Sequence, residues 1–126
     1  MKPLIFLDID GVLNSARSAV AHITKSKAYV SFQDRVADQL DPVAVLMMAR
    51  VCRETEADIV ISSTWRKFTT VPTFLEVFAR YGWENAPVIG LTPITSKGYR
   101  GTEVKMFLEQ NQDLQGRPYV CIDDDS

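Results

Sequence analysis

Histidine occurs once and cysteine twice in the 126 residues. His22, Cys52 and Cys121 stand far apart with no Cys-x-x-Cys spacing, which argues against a thiolate or imidazole metal set and against a disulfide framework. Both thiols are expected to be free and buried, Cys121 because it falls inside an apolar run. No apolar run approaches the ~20 residues of a membrane span, and Met1-Lys2-Pro3 carries no leader-like core, so a cytoplasmic protein without membrane contact is expected. An excess of one charge is missing too: 14 basic against 16 acidic residues leave a net −2. That argues against a strongly basic nucleic-acid coat while leaving room for a local basic rim around a phosphate pocket. A hydrophobic fraction of 46% and a charged fraction of 24% are those of a folded chain, and this length suits one core, hence a single domain over residues 1–126.

What the chain does have is a repeated pattern of short apolar runs that end in oxygen-bearing side chains. The first closes as Phe6-Leu7-Asp8-Ile9-Asp10-Gly11-Val12-Leu13-Asn14. A run of this kind ahead of a turn residue suits a strand buried on both faces, and in open α/β sheets ligands bind beyond the carboxyl ends of such strands. Two carboxylates as close as Asp8 and Asp10 repel, so a shared proton, a basic neighbour or a hard cation such as Mg²⁺ must offset them; the cation is favoured. Gly11 permits the positive φ of a sharp turn after the second Asp. The pattern recurs where Ile59-Val60-Ile61 runs into Ser62-Ser63 and where Tyr119-Val120-Cys121-Ile122 runs into Asp123-Asp124-Asp125. If the strands are parallel, all three ends share one edge of the sheet and can converge on one ligand.

These residues carry a resemblance. Asp8 to Asn14, Ser62 at a second strand end and Asp123-Asp124 at a later one resemble motifs one, two and four of the haloacid dehalogenase (HAD) superfamily of phosphohydrolases, in the same order and over nearly the whole chain. Ile61-Ser62-Ser63-Thr64-Trp65-Arg66 and Arg100-Gly101-Thr102-Glu103-Val104 are similar to the small HAD domains of RNA repair proteins, and Ile122-Asp123-Asp124 is similar to the phosphatase half of a phage polynucleotide kinase. The resemblance implies an α/β fold, a Rossmann-like three-layer sandwich around a central parallel sheet, here without a cap domain.

Between the motifs, residues 14–39 are polar and without period and read as a loop or flap over the strand end. Asp41-Pro42 opens a helix as N-cap and first residue, with Val45, Leu46, Ala49 and Cys52 expected to face the sheet. It leads to the second strand at 58–61. Thr73-Phe74-Leu75-Glu76 has capping-box spacing, and Phe74, Phe78 and Tyr81 follow as core until Gly82 stops the helix. Residues 87–91 read as an outer strand. Residues 92–101 form a loop with Lys97 and Arg100, and Val104, Phe107 and Leu108 give the next helix, 102–110, its buried face.

The resemblance implies a Mg²⁺-dependent phosphatase. Asp8 is the nucleophile, Asp10 the acid and base, and Ser62 with Arg100 or Lys97 holds the phosphate oxygens. Ser63, Arg66 and Gly11 are assigned to substrate binding, and Asp8, Asp10, Asp123 and Asp124 to the metal. The absent cap tilts the phosphorylated substrate towards an RNA or DNA end or a nucleotide. A HAD scaffold that only binds a phosphorylated partner is the rival. The chain stops at Ser126, where HAD domains usually continue with another helix, so either a minimal domain or a shortened one is expected.

Overall fold

A computed structural model describes residues 2–9, 12–13, 40–62, 70–94 and 100–123. In chain order the elements are β1 (Leu4–Leu7), α1 (Pro42–Thr55), β2 (Asp58–Ile61), α2 (Val71–Arg80), β3 (Val88–Leu91), α3 (Arg100–Gln110), a 3-10 turn (Gln112–Leu114) and β4 (Tyr119–Ile122). The strands form one sheet in the order β3-β2-β1-β4, and every neighbouring pair is parallel. Parallel neighbours cannot be joined by a hairpin, so helical crossovers return the chain to the same end of the sheet each time. The expected outer strand is β3, at one edge.

Alternation along β1 divides the interior in two. Ile5 and Leu7, with Ile59, Ile61 and Val88, meet Val45, Met48 and Cys52 of α1 and Phe74, Val77 and Phe78 of α2. On the opposite face Leu4, Phe6 and Val60 meet Val104 and Phe107 of α3. Helices thus cover both faces of a parallel sheet, the three-layer α/β sandwich expected from the sequence.

Local chemistry explains the helix ends. Asp41 caps α1, its Oδ1 accepting from the Val43 amide at 3.0 Å. The buried stripe of α1 is Val45, Met48 and Cys52, whereas Leu46 is exposed. This corrects the expectation for Leu46: one residue is about 100° of helix, which turns Leu46 away from the face that Val45 presents. For α2 the N-cap is Thr70, so the capping-box reading at Thr73 sits one turn too late. Gly82 ends that helix region with a φ of +88°, which a Cβ would oppose. Trp83 then folds back onto Phe78, with ring centroids 4.9 Å apart.

The edges of the sheet differ. In β3 the register shifts by one residue opposite Ile59 and Val60, and Gly90 lies under the Phe107 ring. A Cβ on Gly90 would come within 3.0 Å of Phe107 Cε2, so this glycine is what lets α3 approach the sheet. By contrast Tyr119, Val120 and Cys121 of β4 are exposed. Cys121 was expected in the core; it lies on an edge strand, and only Cys52 of the two free thiols is buried.

At the amino end of the sheet Arg117 ties three strands together. Its Nε donates to the Lys2 carbonyl at 2.6 Å, and its Nη2 donates to the Pro3 carbonyl at 3.2 Å and to Asp58 Oδ2 at 2.9 Å. Among the described residues no helix is long and apolar enough to cross a membrane.

Candidate active site

The ladder continues one residue past each strand at the carboxyl end. The Asp8 amide donates to the Ile122 carbonyl at 3.0 Å, the Ser62 amide to Leu7 at 2.9 Å, and the Thr92 amide to Ile61 at 2.9 Å. These bonds hold Thr92, Ser62 and Asp8 in one row across β3, β2 and β1, and the pairing of Leu7 with Ile122 sets Asp123 beside Asp8. Adjacent members follow strands about 4.8 Å apart. Alternation also sets their side. Leu4, Phe6 and Val60 belong to the α3 face, so Asp8 and Ser62, each two residues on from one of these, fall on that face as well. Gly90, which meets Phe107, places Thr92 there in the same way.

Asp8, Ser62 and Thr92 are each only 3% exposed, and the fourth buried polar residue among those described is Glu103, at 1%. Such burial near a strand end is unusual for an acid and a hydroxyl unless their polar atoms are satisfied. Among the described residues no buried side-chain oxygen or nitrogen lacks a hydrogen-bond partner. Asp8 Oδ1 accepts from the Ile9 amide at 2.8 Å, which fixes the carboxyl plane relative to the backbone. Directly after it the chain turns back, with the Val12 and Leu13 amides both donating to the Ile9 carbonyl, at 3.1 and 2.8 Å.

Glu103 comes from the first turn of α3. Phe107 packs edge-on against Phe6, with ring centroids 5.8 Å apart. Four residues of helix before Phe107 put Glu103 about 6 Å towards the carboxyl end. Two residues of strand after Phe6 carry Asp8 about 7 Å in that direction. Glu103 therefore stands level with Asp8, over the α3 face, and the four buried polar residues cap the apolar layer of Phe6, Val60, Gly90, Val104 and Phe107.

The structure accordingly brings Asp8, Ser62 and Asp123 to one row, as expected for three strand ends that share an edge. Asp10, Gly11, Ser63, Arg66, Lys97 and Asp124 lie outside the described residues, as does the flap reading of 14–39. Arg100 is the first residue of α3, and its side chain lies outside the description. Ser62 does not cap α2, whose N-cap is Thr70. Thr92 and Glu103 were missed as site residues. Thr92 was legible: it follows the apolar run of β3 as Ser62 follows that of β2. Glu103 carried two signals, its place in the Arg100-to-Val104 segment of the resemblance and its position four residues before Phe107 on the buried stripe of α3.

The donor set of the row is hard oxygen, the chemistry suited to Mg²⁺ and unsuited to softer metals. Among the described residues no group of three or more His, Cys, Asp or Glu forms a metal centre by itself. Asp8 and Asp123 are neighbouring carboxyl donors on one face, and they fit as part of a site completed by further oxygen ligands. No curated protein and no solved structure matches the chain significantly. A family model does match, over residues 4–126, and it spans every strand end just described; the chain belongs to the family described as HAD domain in Swiss Army Knife RNA repair proteins.

Proposed function

We propose that the chain is a cytoplasmic Mg²⁺-dependent phosphatase that hydrolyses phosphate monoesters through an aspartyl-phosphate, with RNA or DNA ends as substrates. The observation that carries this reading is the buried row of Asp8 and Ser62 beside Asp123 at the carboxyl end of a parallel sheet, where the ladder fixes each backbone. The family's description supports the substrate leaning, since it names RNA repair. Asp8 attacks phosphorus, the bond to the leaving oxygen breaks, and Asp10 gives that oxygen its proton. Asp10 then takes a proton from water as the water oxygen attacks phosphorus, releasing inorganic phosphate and restoring Asp8. The Ser62 hydroxyl donates to a non-bridging oxygen, and Arg100 or Lys97 offsets the phosphate charge. Ser63, Arg66 and the backbone at Gly11 extend the grip on the substrate. Asp8, the Asp10 carbonyl and Asp123 or Asp124 would hold Mg²⁺, which would offset the negative charge that nucleophile and phosphate bring together.

The test is phosphate release from an aryl phosphate and from 3′- and 5′-phosphorylated oligonucleotides, with and without Mg²⁺, wild type beside Asp8→Asn. The expected result is turnover that needs both Mg²⁺ and Asp8, fastest on one class of oligonucleotide end. Folded wild-type protein that releases no phosphate from any of them refutes the reading.

A further inference from the structure

We infer that the groove between α3 and β4 is a nucleobase-stacking subsite for the single strand that carries the phosphate, with Tyr119 as its platform and Lys105 as its phosphodiester contact. This role rests on the reading of a nucleic-acid end as substrate. α3 packs over Phe6, Val60 and Gly90, on β1, β2 and β3, and leaves β4 beyond its cover. The uncovered strip is a groove of about 490 Å³ lined by Gly101, Lys105, Leu108, Gln115, Arg117 and Tyr119. That volume falls within the range of small-ligand sites, roughly 300–1,000 Å³.

Tyr119 is 53% exposed, yet its ring is backed: it meets buried Phe6 edge-on, with centroids 5.4 Å apart. A supported ring that is half open is what base stacking uses, since every base offers a π-face. The groove's walls are tied as well. Gln115 Nε2 donates to the Leu108 carbonyl at 2.9 Å and Asn111 Nδ2 to the Phe107 carbonyl at 2.8 Å, which fastens the turn before β4 to the end of α3.

Charge and position name the occupant. Arg117 is committed to Lys2, Pro3 and Asp58, so the cation that a ligand meets is Lys105, exposed midway along the stripe of Gly101, Lys105 and Leu108. Glu109 also lines the groove, one turn nearer the amino end of the sheet, so an anion is favoured towards the carboxyl end, where the row of strand ends lies. The register of Leu4 with Tyr119 and Phe6 with Cys121 puts both β4 residues on the α3 face, and alternation carries Asp123 there too. Tyr119 therefore lies four residues of strand, about 13 Å, from Asp123 along one side of β4. A strand whose terminal phosphate reaches Asp8 and Asp123 can run past exposed Cys121 and lay a base on Tyr119.

The experiment titrates wild type, Tyr119→Leu, Tyr119→Phe and Lys105→Gln, without Mg²⁺ so that no turnover consumes the probe. The probes are a fluorescent single-stranded oligonucleotide with a terminal phosphate and its abasic counterpart, read by anisotropy, with thermal unfolding of each variant alongside. Wild type prefers the base-bearing strand. Tyr119→Leu weakens that strand roughly 5- to 100-fold and leaves the abasic one unchanged, whereas Tyr119→Phe binds as wild type does. Lys105→Gln weakens both strands alike and lowers the slope of log affinity against log salt by about 0.7. Bound oligonucleotide also shields Cys121 from a thiol reagent. Wild-type affinity in folded Tyr119→Leu overturns the subsite, as does an equal loss on base-bearing and abasic strands. Wild type that binds neither strand overturns it too, and so does a concentration-dependent dimer whose dissociation alone opens Cys121 to the reagent, since a second copy then fills the groove. Should Tyr119→Leu unfold, the other arms decide: an unchanged salt slope in Lys105→Gln with unshielded Cys121 overturns the subsite. Tyr119-dependent binding without phosphate release refutes the phosphatase reading and keeps the subsite; phosphate release from oligonucleotides with a wild-type KM in Tyr119→Leu does the reverse.

Discussion

The two ends of the same four strands handle polar groups in opposite ways. At the amino end Arg117 spends its Nε and Nη2 on the Lys2 and Pro3 carbonyls and on Asp58. The result is a closed clamp that fixes β1, β2 and β4 in register. At the carboxyl end backbone bonds carry the ladder one residue further, and Thr92, Ser62, Asp8 and Asp123 stand there as a row of oxygen-bearing side chains. Structure is secured at one end so that the other can gather like charges, an arrangement that costs stability by itself.

That comparison can be broken by mutation. Asp8→Asn has the largest expected effect: turnover falls by at least roughly 10³-fold, while the unfolding midpoint in urea stays put or rises, since a buried charge has been removed. Loss of folding together with activity would mean that the two ends are not separable. Arg117→Ala is the mirror case. It leaves Asp58 and two carbonyls without their donor and costs about 2–3 kcal/mol in urea unfolding, with kcat per folded molecule kept. Arg117→Lys recovers little, because an ammonium lacks the planar fork that reaches three acceptors.

A smaller effect sharpens the link between sheet and α3. Gly90→Ala presses a methyl on Phe107, which is backed by Phe6, and costs about 1–3 kcal/mol. Pairing it with Phe107→Leu recovers part of that loss in the same measurement, if the contact is the cause. The smallest effect concerns Cys52, whose thiol is pushed up to about 11 by burial first and by nearby Asp58 second. The folded state keeps a proton that the unfolded chain loses from about pH 9.0, so the contribution is whole below that pH and is lost as pH rises towards 11. At pH 10 the difference from Cys52→Ala is about 1 kcal/mol, read from urea midpoints at pH 8 and pH 10. A thiol reagent at pH 8 labels exposed Cys121 at once and Cys52 only on unfolding.

How much of this was legible differs by residue. Each strand announced itself as a short apolar run, and the Asp-Pro start of α1 was readable because capping is decided by neighbouring atoms. Asp8, Ser62 and Asp123 were legible for the same local reason, being the first polar residue after a run. Cys121 and Leu46 were misjudged because apolar character says that a side chain can be buried and not that anything covers it. Whether a cover exists depends on strand order and on helix rotation, which no local window contains.

The sequence by itself determined the strands, their polar ends and the Asp-Pro start of α1, since these follow from apolar runs and from capping by neighbouring atoms. Only the tertiary structure decided that β4 is an edge, that Thr92 completes the row, and that Glu103 stands level with Asp8. Those facts arise from parallel pairing and from the close approach of α3 over Gly90, where residues far apart in the chain meet at distances that backbone geometry sets.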